Sequence, residues 1–392
     1  MSSGAVVSTI RTNVVTFVLL VPTSQGSLMM PHLLPLAILL LSIIPTETKV
    51  VASVKECNKF FLDKTPPYIP GILEGGNILD QNRYKVICQT FSNTRTFVTL
   101  YDTKNKIPVF SAAKYRGRPG GKRPKINWMI EPQLEKPADD DNMRQADNNI
   151  IYKNQAVNTD YKPYNQQGFD RGHLFPSSYG SDPTEKSSTF TLTNAVPQKS
   201  RFNRVRWRNM ENCVKKFLDT NCINDNNRMA FVVIGAKPRR SASSESKSSD
   251  NKSSDSESSE SKSSGSESSL LKKNKIHIPS VLWSAFCCYS SSQKKWVAGA
   301  HWSKNRDDCP IHLRTLEDLE KKLSIEAFPG KKCSKHTTLT QVYSKYALKS
   351  KRRNVVVSHK VPRKHVGKKK VSWAKKRKIL NINPAFQKKK PT

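Results

Sequence analysis

The stretch between residues 168 and 211 combines residue types that suit phosphodiester chemistry. A histidine such as His173 has an unperturbed pKa of about 6.5, which suits proton transfer near neutral pH. Arg171 is a permanent cation whose planar fork matches a phosphate group. On a strand these two side chains project from the same face, and Gly172 between them permits close approach of the backbone. The pattern therefore predicts a base beside a phosphate-binding cation.

A helix is expected to supply the other half of this site. Apolar residues at helical spacing predict a helix over residues 201–219. Within it, Asn203, Trp207 and Glu211 are four residues apart and fall on one stripe. An amide oxygen is a neutral ligand that suits Mg²⁺, whereas a ring of carboxylates would repel an anionic substrate. We therefore expect Asn203 to bind the metal and Glu211 to act through the water molecules around it.

Each of these residues also has an interpretation that involves no catalysis. A strand histidine can be a satisfied part of the core, and asparagine is favoured at the N-terminal cap of a helix. Glu211 could face solvent as an ordinary helix acid, and the Trp207 indole is expected to pack in the core rather than on a substrate. The functional hypothesis therefore depends on the spaced combination of residues rather than on any single one.

Three motifs resemble those of the DNA/RNA non-specific endonucleases with a ββα-metal motif. They are Asp-Arg-Gly-His at 170–173, Thr-Asn-Ala-Val-Pro-Gln at 193–198, and Asn-x-x-x-Trp-x-x-x-Glu at 203–211. Within that family, flanking segments are similar to the endonuclease domain-containing 1 proteins (72–77, 101–104, 174–179 and 282–288). The resemblance covers roughly residues 55–333. It implies an α+β fold in which a mixed or antiparallel sheet, flanked by helices, carries a ββα-metal (His-Me finger) nuclease motif.

The resemblance implies a role for each matching residue. His173 corresponds to the general base that activates water, and Asn203 to the direct protein ligand of Mg²⁺. Arg171 resembles an arginine that stabilises the transition state, and Glu211 resembles the carboxylate that orders water around the metal. Two further positions, which are expected to support the site or the substrate, are Asp170 and Asn194.

One position departs from the family pattern. Some relatives carry an arginine immediately before the equivalent of Asn127 and Trp128, whereas this chain has Ile126 there. Arg123 and Lys125 are nearby in the sequence. The departure leaves open whether a second arginine contacts the phosphate, and with it whether the chain reaches the full catalytic rate.

The function predicted from these residues is that of a secreted, metal-dependent, non-specific endonuclease. It would hydrolyse phosphodiester bonds of DNA, RNA or both, with Mg²⁺ as cofactor and Mn²⁺ as the second candidate. The alternative is a nuclease-fold protein of weak or no activity that binds polyanions, either nucleic acid or a glycosaminoglycan. The sequence predicts no particular oligomeric state.

The composition agrees with a polyanionic partner. The chain has 67 Lys or Arg and 31 Asp or Glu residues among 392, which gives a net charge of +36. Such an excess favours binding to nucleic acid, a glycosaminoglycan or an anionic membrane surface. No apolar run reaches the roughly 20 residues that a membrane-spanning helix needs. A multi-pass membrane protein is therefore excluded, and no stable membrane insertion is expected.

The N-terminal residues are expected to be an address rather than part of the fold. An apolar run at 33–44 is followed by small residues, a pattern typical of secretory signal peptides. We predict a signal peptide at 29–53 that is cleaved near Ala52 or Ser53, so that the protein is extracellular. Residues 1–28 would be an alternative leader or a gene-model extension.

The remaining chain divides into one domain with an insert and a tail. The endonuclease domain is predicted at 54–333, and a disordered insert at 241–269 contains 17 serines. A disordered basic tail is predicted at 334–392, because the segment 331–392 has 21 Lys or Arg and no Asp or Glu. The tail could be an arm for nucleic acid or a glycosaminoglycan, a nuclear address at 375–378, or read-through from a faulty gene model.

Cysteine usage agrees with secretion. All eight cysteines follow the predicted cleavage point, which favours disulfide bonds in an oxidising compartment and predicts that no thiol remains. Cys213 and Cys222 are close enough in sequence to link a helix end to the loop that follows it. Adjacent Cys287 and Cys288 would point to opposite faces of a strand and so have different partners. No cysteine spacing suits a zinc site.

Local patterns predict the other main elements. Alternating polar and apolar residues, turn residues and a helix cap indicate two hairpins (96–101 with 107–112, and 281–289 with 295–301), strands at 190–194 and 229–235, and a helix at 315–328 that Thr315 caps and Pro329-Gly330 ends.

Overall fold

The computed structural model of the chain describes residues 7–11, 16–20, 49–117, 122–222, 229–238, 276–336 and 339. Most of the predicted leader and signal peptide, the whole serine-rich insert and nearly all of the basic tail lie outside these residues. Within the described ranges, no helix has both the length and the apolar composition that crossing a membrane requires.

The described residues form thirteen strands and four α-helices. The strands are β1 (Val7–Arg11), β2 (Thr16–Leu20), β3 (Val50–Val51), β4 (Leu73–Glu74), β5 (Asn77–Ile78), β6 (Tyr84–Phe91), β7 (Thr94–Asp102), β8 (Ile107–Tyr115), β9 (Phe169–His173), β10 (Ala195–Lys199), β11 (Ala230–Pro238), β12 (Pro279–Tyr289) and β13 (Trp296–Lys304). The α-helices are α1 (Lys162–Gln166), α2 (Pro183–Ser188), α3 (Arg208–Asn221) and α4 (Leu316–Leu323).

A seven-stranded sheet forms the centre of the fold. Its strands lie in the order β13-β12-β11-β8-β7-β6-β3, and each neighbouring pair is antiparallel. Both predicted hairpins are confirmed as β7–β8 and β12–β13. Three separate two-stranded sheets pair β1 with β2, β4 with β5, and β9 with β10. The α+β class with an antiparallel sheet is therefore confirmed.

Both faces of the central sheet are covered, and β11 shows how its sequence achieves this. Successive side chains on a strand point to opposite faces. Val232 and Ile234 pack in a first core, between the sheet and α3. Phe231 and Val233 pack in a second core, which the N-terminal turns and α4 cover. The run of apolar residues therefore serves two cores rather than one.

The helix predicted at 201–219 packs on the first core. It begins as a π-helical segment, Phe202–Trp207, and continues as α3 to Asn221. The predicted inward positions Trp207, Met210, Val214 and Phe217 are all buried, as their helical spacing indicated. The sequence did not predict the wider π-helical turn, in which hydrogen bonds span one residue more than in an α-helix.

Two local predictions differ from the structure. The helix at 315–328 has the predicted Thr315 cap but ends at Leu323, because Ser324 adopts a left-handed conformation with φ of 60°. Residues 190–194 form no regular strand, since they make only an isolated bridge between Met129 and Thr191 and a single turn of 3₁₀ helix at Leu192–Asn194.

Some described residues outside the predicted range 54–333 also pack against it. At the N-terminal end, Lys49 is fully buried and β3 pairs with β6 at the edge of the sheet. At the C-terminal end, Lys335 forms ion pairs with Glu320 and Glu326. Because ion pairs and single buried side chains lack a periodic pattern, sequence periodicity could not predict these contacts.

Three disulfide bonds cross the cores: Cys57–Cys88, Cys222–Cys288 and Cys287–Cys333. The neighbours Cys287 and Cys288 do have different partners, as strand geometry predicted. The expectation that all eight cysteines are bonded is wrong, because Cys213 and Cys309 remain thiols. Cys213 lies on the buried face of α3. Cys222, which is close to it in sequence, bonds instead to Cys288 on the central sheet.

We expect the unreduced protein to contain two thiols of unequal reactivity. Cys309 is partly exposed, whereas Cys213 is buried and burial raises the pKa of its thiol, which disfavours the reactive thiolate. Intact-mass measurement after alkylation should therefore show one adduct under native conditions and two after unfolding without reductant. No adduct under either condition would mean that these two residues are oxidised.

Candidate active site

Strands β9 and β10 form an antiparallel hairpin that presents the Asp-Arg-Gly-His motif. His173 is paired with Ala195 and Gly172 with Val196. A Cβ atom at Gly172 would lie 2.0 Å from Oε1 and 2.7 Å from Cβ of Gln198. Any larger residue would therefore displace the neighbouring strand, so glycine is required here for close packing between the two strands.

Asn194 holds the long connection between these strands. Its Oδ1 accepts hydrogen bonds from Ser111 Oγ and the Phe175 backbone N–H, both at 2.9 Å. Its Nδ2 donates to the carbonyl oxygens of Phe175 and Thr189, both at 3.0 Å. The side chain is fully buried and its polar atoms are satisfied. Asn194 therefore supports the site as a structural residue and does not face the substrate side.

The candidate site is a cavity of about 680 Å³ between the hairpin and the following helix. The predicted residues Asp170, Arg171, His173, Asn203 and Glu211 all line it. The other lining residues are Arg123, Trp128, Asn165, Phe169, Pro176, Ser177, Ser178, Ser200, Arg204, Arg208 and Asn212. Sequence motifs that are separated by thirty residues or more therefore meet at one place.

Asp170 determines how Asn203 is oriented. Its carboxylate accepts hydrogen bonds from Asn203 Nδ2 at 3.0 Å, Ser200 Oγ at 2.9 Å, and Arg204 Nε and Nη2 at 2.8 and 2.6 Å. Burial alone would raise the pKa of Asp170, but the bonds from Arg204, Asn203 and Ser200 lower it overall. Asp170 is therefore a charged acceptor, and it directs the amide nitrogen of Asn203 toward itself.

This orientation leaves the amide oxygen of Asn203 available to a cation. The residue lies in the π-helical segment, a local irregularity that often occurs at functional sites. Among the described residues, no group of three or more His, Cys, Asp or Glu side chains could hold a metal ion. The donor set, one amide oxygen with the Glu211 carboxylate in the same cavity, fits Mg²⁺, which needs few protein ligands.

His173 is enclosed by two aromatic rings, which we call the aromatic walls: Trp128 and Phe190. The ring centroids of Trp128 and Phe190 lie 4.5 and 4.9 Å from that of His173. Burial, and then the charge of Arg123, lowers the pKa of His173 well below its ordinary value. Its Nε2 is buried and makes no hydrogen bond with the described residues. The imidazole is therefore neutral at physiological pH and able to accept a proton.

Glu211 is in the opposite situation. Burial raises the pKa of its carboxyl to about 8, and Arg123 and Arg208 partly oppose this rise. Glu211 lies on helix α3, and Tyr179 Oη donates a hydrogen bond of 3.1 Å to its carbonyl oxygen. A carboxyl in this environment responds strongly to any further positive charge in the cavity.

Two arginines flank the histidine. Arg171 donates a hydrogen bond of 2.5 Å from Nη1 to Asn158 Oδ1, and its guanidinium lies 5.8 Å from the centre of the Trp128 ring. Arg123 lies over Phe190, with its guanidinium carbon 4.8 Å from the ring centroid. A second arginine, Arg123, therefore lines the cavity, three positions before Ile126 in the sequence.

Sequence reasoning missed several residues of this site. Arg123, Arg204 and Arg208 line the cavity, and Phe190 encloses the histidine without lining it. Of these residues, only Arg123 was indicated by the sequence, as a basic residue near Ile126, where the chain departs from the family pattern. The others depend on the path of loops and on helix geometry, which motif spacing does not report.

Comparisons with known proteins identify a family and relatives that the chain resembles. Residues 76–330 match the family model of the DNA/RNA non-specific endonucleases. The chain is 28% identical over 286 residues to the endonuclease domain-containing 1 protein of Homo sapiens, and 29% identical over 281 residues to that of Mus musculus. Each match covers 69% of this chain and 46% of the relative, so the chain spans about half the length of these curated relatives.

The chain is also similar to a solved structure, and the family model covers most of its length. A chain in the crystal structure of the EndoG/EndoGI complex is 19% identical, with a TM-score of 0.40, over 59% of this chain and 82% of that chain. The family model covers well over half of the 392 residues, including every predicted site residue. The chain therefore belongs to the DNA/RNA non-specific endonuclease family.

Proposed function

We propose that this chain is a divalent-metal-dependent endonuclease that hydrolyses phosphodiester bonds of DNA, RNA or both. One observation carries the proposal: a neutral buried histidine, an oriented asparagine, a carboxyl group and two arginines line one cavity. A base, a cation site and phosphate contacts are the groups that such hydrolysis requires. The family membership supports the same reaction class.

His173 is assigned as the general base. Burial keeps its imidazole neutral, and Nε2 has no exposed surface. We therefore assign Nδ1, the other ring nitrogen, as the atom that takes the proton from the attacking water. The aromatic walls restrict the ring to one orientation, which lowers the entropic cost of the step.

Arg171 and Arg123 are assigned as the phosphate contacts. Arg171 is held by Asn158, and Arg123 is held over Phe190, so both cations are positioned before substrate arrives. Prepositioned charges stabilise the negative charge that develops on the phosphate oxygens. Arg204, in contrast, is bound to Asp170 and serves to orient that residue.

The metal would be Mg²⁺, with Mn²⁺ as the second candidate, and Asn203 would hold it. When bound, a divalent ion supplies charge that stabilises the leaving 3′ oxygen. Asn203 presents its amide oxygen, and Glu211 orders water by hydrogen bonding. Positive charge near Glu211 favours its ionised form, which opposes the effect of burial on its pKa.

We further propose that the protein acts outside the cell. The three disulfide bonds and the predicted signal peptide support secretion. The partner would be nucleic acid, and the basic tail could add contacts to nucleic acid or a glycosaminoglycan. The tail lies outside the described residues, so this part depends on the sequence alone.

A plasmid-nicking assay with and without chelator tests the proposed activity. We expect cleavage that requires divalent metal and that His173→Ala reduces by about 10²–10⁴-fold, the usual cost of losing a general base. His312→Ala is the matched control, because His312 is exposed and does not line the cavity. Nucleic-acid binding without any cleavage by the wild type would favour the polyanion-binding alternative.

A Mg²⁺ titration of cleavage tests the metal site. Asn203→Ala removes the amide oxygen, so it should require much more Mg²⁺ than the wild type for half-maximal cleavage. Glu211→Gln should leave this requirement nearly unchanged and lower the maximal rate, since it disturbs the order of water rather than the ligand. If Asn203→Ala needed no more Mg²⁺ than the wild type, Asn203 would be only a structural helix residue.

Arg123→Gln should lower kcat/KM roughly tenfold or more, because a charged hydrogen-bonding group to phosphate is lost. The substitution should also move the acid limb of the pH profile to higher pH. Arg123 lowers the pKa of both His173 and Glu211, so without it both groups stay protonated up to a higher pH.

Arg116→Gln is the matched control for this variant. Arg116 belongs to the same connection, forms its ion pair with Glu185 and does not line the cavity. An unchanged pH profile in Arg123→Gln would show that this arginine does not act on the catalytic groups.

A further inference from the structure

The aromatic walls around His173 come from two chain segments that are hydrogen-bonded to each other. The Met129 N–H donates to the Phe190 carbonyl oxygen at 2.8 Å, and the Leu192 N–H donates to the Met129 carbonyl oxygen at 2.9 Å. Trp128 is the residue before Met129 on one segment, and Phe190 is itself one of the bonded residues on the other. The distance between the two rings, 5.5 Å between centroids, therefore depends on how this bridge is held.

Glu131 anchors the bridge from within the core. The residue is fully buried, and its Oε1 accepts hydrogen bonds from Thr191 Oγ1 at 2.6 Å and Thr193 Oγ1 at 3.0 Å. Its backbone N–H donates to Gln155 Oε1 at 2.8 Å, and its carbonyl oxygen accepts from Gln155 Nε2 at 2.8 Å. The carboxylate therefore joins the segment of Trp128 to the segment of Phe190 through side chains.

A buried carboxylate needs a counter-charge, and Lys49 provides it. Lys49 Nζ forms an ion pair with Glu131 Oε2, and both side chains are 0% exposed. The backbone of Lys49 is also fixed, since its N–H donates to Gln133 Oε1 at 2.8 Å and its carbonyl oxygen accepts from the Cys88 N–H at 2.8 Å. Burial lowers the pKa of Lys49 well below its ordinary value, and the charges of Asp140 and Asp141 oppose this effect. Loss of Lys49 would leave the Glu131 carboxylate buried without its counter-charge, which is strongly destabilising.

We infer that the Lys49–Glu131 ion pair positions the catalytic base by holding the aromatic walls against His173, and that the functional chain must therefore retain Lys49. Neither residue touches the cavity, so both are positioning residues. The inference rests on the proposed function only for the role of His173. It also moves the expected signal-peptide cleavage from Ala52 or Ser53 to a point before Lys49, because cleavage at the later point would remove the counter-charge.

Two variants of the full chain separate positioning from simple stabilisation. Thr191→Val keeps the ion pair but removes the shorter of the two hydrogen bonds that join Glu131 to the Phe190 segment. Lys49→Met removes the counter-charge, and we expect it to lower Tm by roughly 10 °C. Each variant should lower kcat by about tenfold to a hundredfold with little change in KM, since a misplaced base slows the reaction without weakening binding.

A third variant and a control complete the set. Lys49→Met/Glu131→Gln removes both charges and keeps an acceptor for Thr191 and Thr193, so it should restore Tm and kcat. Lys321→Met is the control, because Lys321 forms an exposed ion pair with Glu317 at 2.7 Å on the helix surface. If Lys49→Met does not fold, Thr191→Val and the double variant still decide the question.

The nuclear magnetic resonance signal of the His173 ring gives a readout that is independent of activity. Ring currents from the aromatic walls shift this signal, which is assigned by its loss in His173→Ala. The inference predicts that the shift changes in Thr191→Val and Lys49→Met, recovers in the double variant and stays constant in Lys321→Met. A wild type that cleaves nothing would refute the proposed function, while the ring signal would still decide the positioning.

Two results would overturn the inference. The first is an unchanged ring signal and an unchanged kcat in Lys49→Met and Thr191→Val, which would mean that the pair only stabilises the fold. The second is an N-terminal sequence of the active secreted protein that begins after Lys49. An N-terminus at or before Lys49 is the expected result.

Discussion

The half of the site that is proposed to bind a metal depends on the carboxylate of Asp170. An asparagine side chain can turn either its nitrogen or its oxygen toward a cavity, and only the oxygen binds a cation. Asp170 settles the choice by accepting a bond from the nitrogen. The same carboxylate would attract the metal itself, but Arg204 and Ser200 occupy its remaining lone pairs. A negative charge thus orients the ligand without adding its full repulsion to an anionic substrate.

The other half of the site depends on how burial acts on charge. Burial lowers the pKa of His173 and raises that of Glu211, so both groups favour their neutral forms. Arg123 acts on both in the same direction, toward lower pKa. For His173 the charge of Arg123 and burial both lower the pKa. For Glu211 the charge of Arg123 opposes the rise in pKa that burial causes. Arg123 therefore favours the neutral form of His173 and the ionised form of Glu211, the two forms that the proposed chemistry needs.

The sequence predicted those parts of the site whose spacing is local. Arg171 and His173 share a strand face, and Asn203 and Glu211 share a helix, so their distances follow from backbone geometry. The sheet, both hairpins and the buried face of α3 followed from periodicity for the same reason.

What could not be predicted depends on contacts between distant segments. Arg123, Phe190 and Lys49 reach their places through loops, and no periodic pattern fixes the path of a loop. The disulfide pairing also depends on contacts between distant segments, since Cys222 bonds across the core to Cys288 rather than to Cys213, which is closer in sequence. The π-helical segment was missed because the side-chain pattern of a single wide turn is nearly that of an α-helix.

The position of the hairpin on the central sheet is itself set by polar contacts. Ser111 on β8 donates its only hydroxyl hydrogen to Asn194, so its 3.0 Å hydrogen bond with Thr99 on β7 must have Thr99 as donor. These hydroxyl groups are buried in a largely apolar region. Apolar packing tolerates small sliding movements, whereas a directional hydrogen bond has one good geometry. The sheet therefore holds Asn194, and through it the connection between β10 and β9, the strand that carries His173.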